Sequence, residues 1–345
     1  MEKRIIAIID AGNRETWDTF VMSHEESNFL QSWDFYEFHT SRGNSVVRKI
    51  AVDENGKILA TYAGVVERAK RGSFLAIAGG PILDWEDKAL VKKVFEDIKQ
   101  EGKRFHCAFV RVRPQLELSE SGLNLFEKTL GLKKAPMYLS VEYAGILNLE
   151  KTEEEILAGA SQGFRRKLRK AEKNNLEIEV TSDPSVMKSF CKLEHAHASR
   201  QGYVAFSDSF LTKQFEAFAK HNEVLMYVGK KDDEILAMNF MIFYGNEASY
   251  HYGVSSDLGT KYSVAPLLHL KAMEEARRRG IKRYNLWGIV GRDETSHRFY
   301  GVSEFKRSFG CDELKYIPAH DLVLDPLKYK FTKLVESTRK RLRHV

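Results

Sequence analysis

Two stretches of this chain, about 178 residues apart, carry the same succession of secondary-structure signals, and a domain-sized period of that kind restricts the fold to one unit used twice. The first stretch opens with Val46 to Val52, rich in β-branched residues, and a turn at Asp53-Glu54-Asn55-Gly56 that contains the Asn-Gly hairpin cue. Strand signals follow at Lys57 to Val66 and Phe74 to Ala78. Glu86 to Glu101 then places Leu90, Val91, Val94, Phe95 and Ile98 at helical spacing, ahead of a buried strand over Phe105 to Val112. A helix from Glu120 to Leu130, stopped at Gly131, and a strand from Met137 to Tyr143 complete that half. The second stretch repeats the order, with strands at Val224 to Gly229, Ile235 to Phe243 and Ala248 to Val254, then a helix from Val264. Locally, Gly56-Lys57-Ile58-Leu59-Ala60 parallels Asp233-Glu234-Ile235-Leu236-Ala237, and Lys103-Arg104-Phe105 parallels Lys282-Arg283-Tyr284.

A chain of 345 residues suits two such domains. With 43% hydrophobic and 30% charged residues it can fill packed cores and still solvate its surface, so wholesale disorder is excluded. The net charge of +6 favours a polyanionic partner wherever the cations cluster. Cys107, Cys191 and Cys311 are an odd number without metal-ligand spacing, which predicts buried thiols in a reducing compartment. The start, Met1-Glu2-Lys3-Arg4 and a short apolar run to Asp10, is too brief for a signal peptide, and no run approaches the roughly 20 apolar residues of a membrane helix. The expected location is cytoplasmic, with any membrane contact peripheral and at the inner face.

A meander of antiparallel strands, a helix and a strand able to lie parallel inside the sheet make a mixed α/β unit. That order resembles the GNAT acyltransferase fold. The expected fold class is therefore α/β (α+β), two tandem GNAT-like (acyl-CoA N-acyltransferase) domains with mixed sheets. The boundary is expected near Gly145 to Thr152, where the acidic helix start Thr152-Glu153-Glu154-Glu155 begins. It gives domains 1–147 and 148–345, the second ending in a basic helix.

From Arg165 to Lys173 there are six cations in nine residues. They are either a surface for RNA phosphates or a solvated helix face. The helix over Pro326 to His344 ends in Arg339-Lys340-Arg341-Leu342-Arg343, which complements the helix dipole or contacts RNA or a membrane. Tyr250-His251-Tyr252-Gly253 and Asn285-Leu286-Trp287-Gly288 each end a strand, and a polar loop from Ile289 to Tyr300 leads into Phe305-Lys306. Strand ends followed by glycine-containing loops are where open α/β sheets hold ligands. Lys306 there is a cation entering an enclosed site or a surface lysine on an amphipathic helix. His195 and His197, two apart on a helix, point to different faces, so no metal site is expected.

The order of Phe29-Leu30-Gln31-Ser32-Trp33, Gly80-Pro81-Ile82-Leu83-Asp84, the basic run, Asn285 to Gly288, Phe305-Lys306 and Tyr316 to Pro326 resembles the Fem family, from about Asn28 to Lys330. These FemA, FemB, FemX and MurM aminoacyltransferases build peptidoglycan cross-bridges. No long charged helical arm interrupts the second half, so the layout resembles the compact FemX. The resemblance implies two GNAT-like domains, and transfer of an amino acid from aminoacyl-tRNA, the co-substrate in place of any cofactor, to an amine of a lipid-linked or UDP-linked peptidoglycan precursor. An amine attacking an activated ester needs no covalent enzyme intermediate, which agrees with the lack of a recognisable Ser, Cys or His triad. Positioning and charge stabilisation remain as the enzyme's task.

By the same resemblance Lys306 stabilises charge near the tRNA terminus, Tyr252 lines the substrate channel, Gln31 and Trp33 bind substrate, and Arg165, Arg166, Lys167, Arg169 and Lys170 face the tRNA. The sequence departs from the FemX pattern at Glu37, which stands in place of a phosphate-binding lysine with His39 the nearest cation, and at Arg113, which replaces an acidic residue. Both departures favour the lipid-linked acceptor, with Arg113 and Arg200 as candidates for a diphosphate. The Phe-Lys and basic-helix signals occur only in the second copy, so the first domain is expected on the muropeptide-acceptor side and the second on the aminoacyl-donor side. Two other readings stand beside this one. An acyl-CoA N-acyltransferase would carry a glycine-rich diphosphate loop where Leu258 to Ala265 lies, and that pattern is missing. A non-catalytic RNA-binding or scaffold protein would use the basic helix alone.

Overall fold

The computed structural model describes residues 6–69 and 72–343, without the side chains of residues 69 and 339–343. The basic cluster from Arg339 to Arg343 therefore lies outside the described side chains. The chain opens with β1 (Ala7–Asp10), α1 (Arg14–Met22), a single 3-10 turn at Phe29–Gln31 and α2 (Trp33–Ser41). The β-branched runs then make an antiparallel meander of β2 (Ser45–Val52), β3 (Ile58–Ala69) and β4 (Gly72–Gly79). After β5 (Ile82–Leu83), α3 (Lys88–Arg104) buries Leu90, Val91, Val94, Phe95 and Ile98, the residues whose spacing predicted it, and Asp87 caps its first turn. β6 (Phe109–Pro114) returns parallel to β4, and α4 (Glu120–Asn124) and β7 (Lys133–Lys134) follow.

Next come β8 (Tyr143–Asn148), α5 (Glu153–Gly159), α6 (Gln162–Glu172), β9 (Glu177–Thr181), α7 (Met187–Gln201) and α8 (Asp208–Ala219). A Thr152–Glu155 capping box starts α5 at the predicted place. The second meander is β10 (Val224–Lys231), β11 (Glu234–Tyr244) and β12 (Glu247–Ser255). α9 (Asp257–Tyr262) and α10 (Val264–Arg278) lead into β13 (Arg283–Gly288), parallel to β12. The chain ends with α11 (Tyr300–Arg307), β14 (Asp312–Lys315), β15 (His320–Val323) and α12 (Pro326–Arg343).

The repeat is real in space, with one local match wrong. Gly56 and Asp233 both sit at positive φ in the turn before β3 and β11, so those five-residue segments are equivalent. Phe105, by contrast, caps α3 and His106 turns into positive φ, so the first strand starts only at Phe109, whereas Arg283 and Tyr284 are already inside β13.

The expected boundary at 147/148 is corrected by the way the strands pair. The compact units are Met1–Glu142 with Lys315–Val345, and Tyr143–Leu314. The first sheet has the order β1-β2-β3-β4-β6-β15-β7, with β5 on β3, and the second has β14-β8-β13-β12-β11-β10-β9. The strand expected over Met137 to Tyr143 forms instead as β8 and pairs with β13 in the second sheet, while β15 takes the place beside β6. The C-terminal helix, expected with the second domain, is held in the first unit. Glu336 of α12 and Asp321 of β15 both pair with the buried Arg111 of β6, at 2.9 and 2.7 Å.

Candidate active site in the second unit

In the second unit the parallel pairing of β12 with β13 stops at Ser249–Asn285, although both strands run on. The strands part there. A bulge between the pairs Phe240–Tyr252 and Met241–Tyr250 leaves His251 as the extra residue, so Tyr250 and Tyr252 fall on opposite faces of the sheet. Tyr250 packs against the buried cluster around α10, as Tyr262 and Phe305 do, with its ring 4.4 Å from that of His269. Tyr252 meets Phe206 and Phe240 on the other side. A Cβ at Gly253 would overlap the Tyr250 hydroxyl, so glycine is what lets that ring lie along the strand.

Lys306 enters this fork from the last turn of α11. It is 6% exposed, its Nζ donates to the Gly288 carbonyl at 2.8 Å, and it lies 5.8 Å from the centre of the Tyr250 ring. Among the described residues no carboxylate pairs with it, and burial lowers its ammonium from the usual lysine range to about 7. His269 is buried and held down to about 3, first by burial and then by the Lys306 charge, so it is neutral, with Nδ1 2.7 Å from the Tyr284 hydroxyl. The fork thus contains a cation that can give up its proton near neutral pH, in an aromatic setting.

A buried polar chain holds the carbonyl that Lys306 meets. Glu247, 2% exposed, accepts hydrogen bonds from Ser249 at 2.7 Å, Arg283 at 2.9 Å and Asn285 Nδ2 at 3.0 Å. Asn285 Oδ1 in turn accepts the Trp287 N–H at 2.8 Å, and Trp287 adopts a φ of +68°. That left-handed residue turns the strand end, and Gly288 follows it with its carbonyl on Lys306. α11 itself is fixed by Glu313, which accepts from Arg307, Arg292 and Tyr143; burial pushes its carboxyl up, but those three partners together outweigh that and hold it down to about 2.

The corresponding place in the first unit is shut. β4 and β6 stay paired from Phe74–Phe109 to Gly79–Pro114, so no fork opens. Gln31 is fully buried, its Oε1 accepting the Ala63 N–H at 3.0 Å and its Nε2 donating to the carbonyls of Ala63 at 3.2 Å and Ala78 at 2.8 Å. Its amide replaces the ladder where β3 and β4 have separated. A Cβ on Gly80 would run into it.

A comparison with known protein families matches residues 13–128 and 210–337 to the FemAB family. The chain belongs to the FemAB family. It is 20% identical over 400 aligned positions to the lipid II:glycine glycyltransferase of Staphylococcus haemolyticus strain JCSC1435, covering 94% of each chain. Among solved structures, FemX superposes with a TM-score of 0.84 at 18% identity, over 96% of this chain and 100% of that one. A tandem GNAT protein from the clavulanic acid biosynthesis pathway gives 0.56 at 9% identity, over 93% and 98%. The FemAB chain is therefore a tandem of GNAT-like units with mixed sheets, as its repeat predicted.

The candidate residues of this FemAB protein fall into three groups. Lys306 is at the fork, and Tyr252 borders it but faces away; Tyr250 is the aromatic beneath Lys306, and a bulge that no spacing rule reveals explains the miss. Glu247 and Asn285 were missed as positioning groups for the same reason, although the Asn285 to Gly288 run was legible as a strand end. Four expected ligand contacts are committed elsewhere. Gln31 is the internal brace described above. Arg113 is 1% exposed and donates to Ser140 at 2.6 Å, Gln115 at 2.7 Å and the Pro114 carbonyl at 3.0 Å, so a diphosphate role is corrected to one of holding a strand end. Arg200 donates to the Ser255 carbonyl at 2.7 Å and pairs with Asp257. Glu37 accepts from Arg48 at 2.6 Å, and that guanidinium lies 4.2 Å over the half-buried Trp33 ring. His39 is buried and lowered to about 4, so no imidazolium stands there at neutral pH.

The basic helix divides as well. Phe164, Leu168 and Ala171 of α6 are buried while Arg166, Lys167, Arg169 and Lys170 are exposed. Arg165 is the exception: its NH1 donates to the carbonyls of Leu157 at 3.1 Å, Ala158 at 3.1 Å and Ala160 at 2.6 Å, closing the end of α5. His195 pairs with Asp208 at 2.6 Å and His197 with Arg200. Ahead of α10 the chain forms α9, with Gly259 against the Leu236 carbonyl, and no open glycine-rich turn precedes that helix.

Proposed function

We propose that this FemAB protein takes an amino acid from aminoacyl-tRNA and delivers it to an amine of a lipid-linked peptidoglycan precursor, with Lys306 as the group that meets the developing charge. The activity itself comes with the family: the chain is an aminoacyltransferase forming a peptide bond in peptidoglycan cross-bridge synthesis. The lipid II acceptor in the name of the Staphylococcus haemolyticus relative supports the choice of acceptor. No helix among the described residues is long and apolar enough to cross a membrane.

The observation that carries the proposal is a buried lysine whose Nζ meets a backbone carbonyl, with no carboxylate partner among the described residues, at an opened strand pair. The acceptor amine attacks the ester carbonyl of the aminoacyl-tRNA, its nitrogen loses a proton, and the ribose oxygen leaves with one. Protonated Lys306 donates to the oxygen that gains charge, while Gly288, held by Glu247, Asn285 and Trp287, fixes where that donor points. The exposed cations of α6 supply the phosphate-facing surface for the donor. The test combines purified protein, total charged tRNA and separate lipid-linked and UDP-linked muropeptides, with products read by mass spectrometry. A lipid-linked precursor extended by one amino acid is expected. Transfer from acetyl-CoA without charged tRNA would refute the proposal.

A further inference from the structure

α12 carries an apolar stripe that its own unit does not use. Tyr329, Thr332 and Glu336 are 4%, 3% and 2% exposed and face the first sheet. On the opposite side Leu327, Phe331 and Leu334, spaced four and three apart, are 80%, 57% and 67% exposed. Lys328, Lys330 and Lys333 are exposed beside that stripe. Between Pro326 and Thr338 the one anion, Glu336, is turned inward onto Arg111, so its charge is spent inside the unit. The sequence then adds Arg339, Lys340, Arg341 and Arg343.

We propose that the outer face of α12 docks onto an anionic lipid surface, with Leu327, Phe331 and Leu334 entering the headgroup boundary and the flanking lysines meeting the lipid phosphates. Charge decides among the occupants. A second copy on the same face, in the symmetric pairing that dimers use, would set these lysines against their own counterparts. RNA would satisfy the cations and leave the apolar ridge in water. An anionic bilayer uses both, because a helix lying in the interface draws on buried apolar area and on attraction to acidic headgroups together. The inference deepens the lipid-linked reading above by naming the surface that brings the enzyme to its acceptor.

The test is co-sedimentation of the full chain with phosphatidylglycerol-containing vesicles and with pure phosphatidylcholine vesicles, in the absence of tRNA and precursor. Binding to the acidic vesicles is expected, weakened by salt and by roughly fivefold for each lysine among 328, 330 and 333 changed to Gln. The triple variant Leu327→Ser/Phe331→Ser/Leu334→Ser should bind about a hundredfold more weakly, with an unchanged unfolding transition and unchanged transfer to a detergent-solubilised lipid-linked acceptor. The proposal fails if the wild type ignores acidic vesicles at low salt, if the triple variant binds them as well as the wild type, or if the triple substitution abolishes a dimer or tRNA binding and leaves vesicle binding intact. Vesicle binding without any aminoacyl transfer would sink the reaction and spare the surface. Transfer in detergent without vesicle binding would do the reverse.

Discussion

Lys306 owes its chemistry to what it lacks. A surface lysine stays protonated well above neutral pH, whereas this one, with a backbone carbonyl for its hydrogen bond and no carboxylate partner among the described residues, has its ammonium lowered by burial to about 7. If the protonated form stabilises the developing oxyanion, kcat/KM falls on the alkaline side with an apparent pKa near 7. In Lys306→Arg, whose guanidinium keeps its proton, that limb should vanish, and Lys306→Ala should lose about 100- to 1,000-fold in kcat. An unchanged alkaline limb in both variants would assign the titration to another group. The same shift has a stability sign: the folded pKa lies below the unfolded value, so the unfolded chain holds the extra proton between about 7 and 10.5. Stability therefore rises with pH across that window, and Lys306→Met should raise Tm most below pH 7. Lys306 is singled out through the resemblance of Phe305-Lys306 to the Fem motif, because its own sequence setting fits a surface lysine on an amphipathic helix as well as an enclosed cation. The roles of Gln31 and Arg113 were not legible, since only their tertiary partners decide whether a buried amide or guanidinium braces the chain or faces a ligand.

At the scale of elements, the two meanders and their helices could be read from β-branched runs and helical spacing, because those patterns are what the strands and helices bury. The fork could not. It depends on a bulge at His251 and on one residue in the left-handed region, and neither has a periodic signature. Asn285 is the connection between the two: one amide end is on Glu247 and the other on the Trp287 N–H. Asn285→Asp keeps the acceptor for Trp287 but sets a carboxylate against Glu247, while Asn285→Ala frees the turn. Both substitutions should let the Gly288 carbonyl move off Lys306 and shift the alkaline limb of the pH profile, with kcat down about tenfold to a hundredfold and KM for tRNA little changed. Loss of stability with an unmoved pH profile would reduce Asn285 to a structural residue.

The whole molecule departs furthest from a reading that takes its copies as consecutive. The strand that follows the first repeat joins the second sheet, and the chain later returns to fill the place between β6 and β7 in the first, so the first unit is completed by residues some two hundred positions from β6. Pairing at that separation leaves no local trace in sequence, and the boundary accordingly moves from 147/148 to two crossings, before Tyr143 and after Leu314. What fastens the return is the buried group of Arg111, Asp321 and Glu336, at 3%, 0% and 2% exposure, with Tyr329 donating to Asp321 at 3.1 Å. Desolvation of three charges offsets most of their attraction, so the group fixes where α12 docks more than it adds net stability. Removing one member alone leaves buried charge without its partner: Arg111→Met should cost about 3–5 kcal/mol in urea unfolding. The triple variant Arg111→Met/Asp321→Leu/Glu336→Leu, which removes every charge at once, should recover most of that loss. Strong non-additivity is therefore the expected signature, and additive losses across the series would mean that the three side chains are held independently and that the docking of α12 rests on its apolar contacts with Phe109 and Phe74 instead.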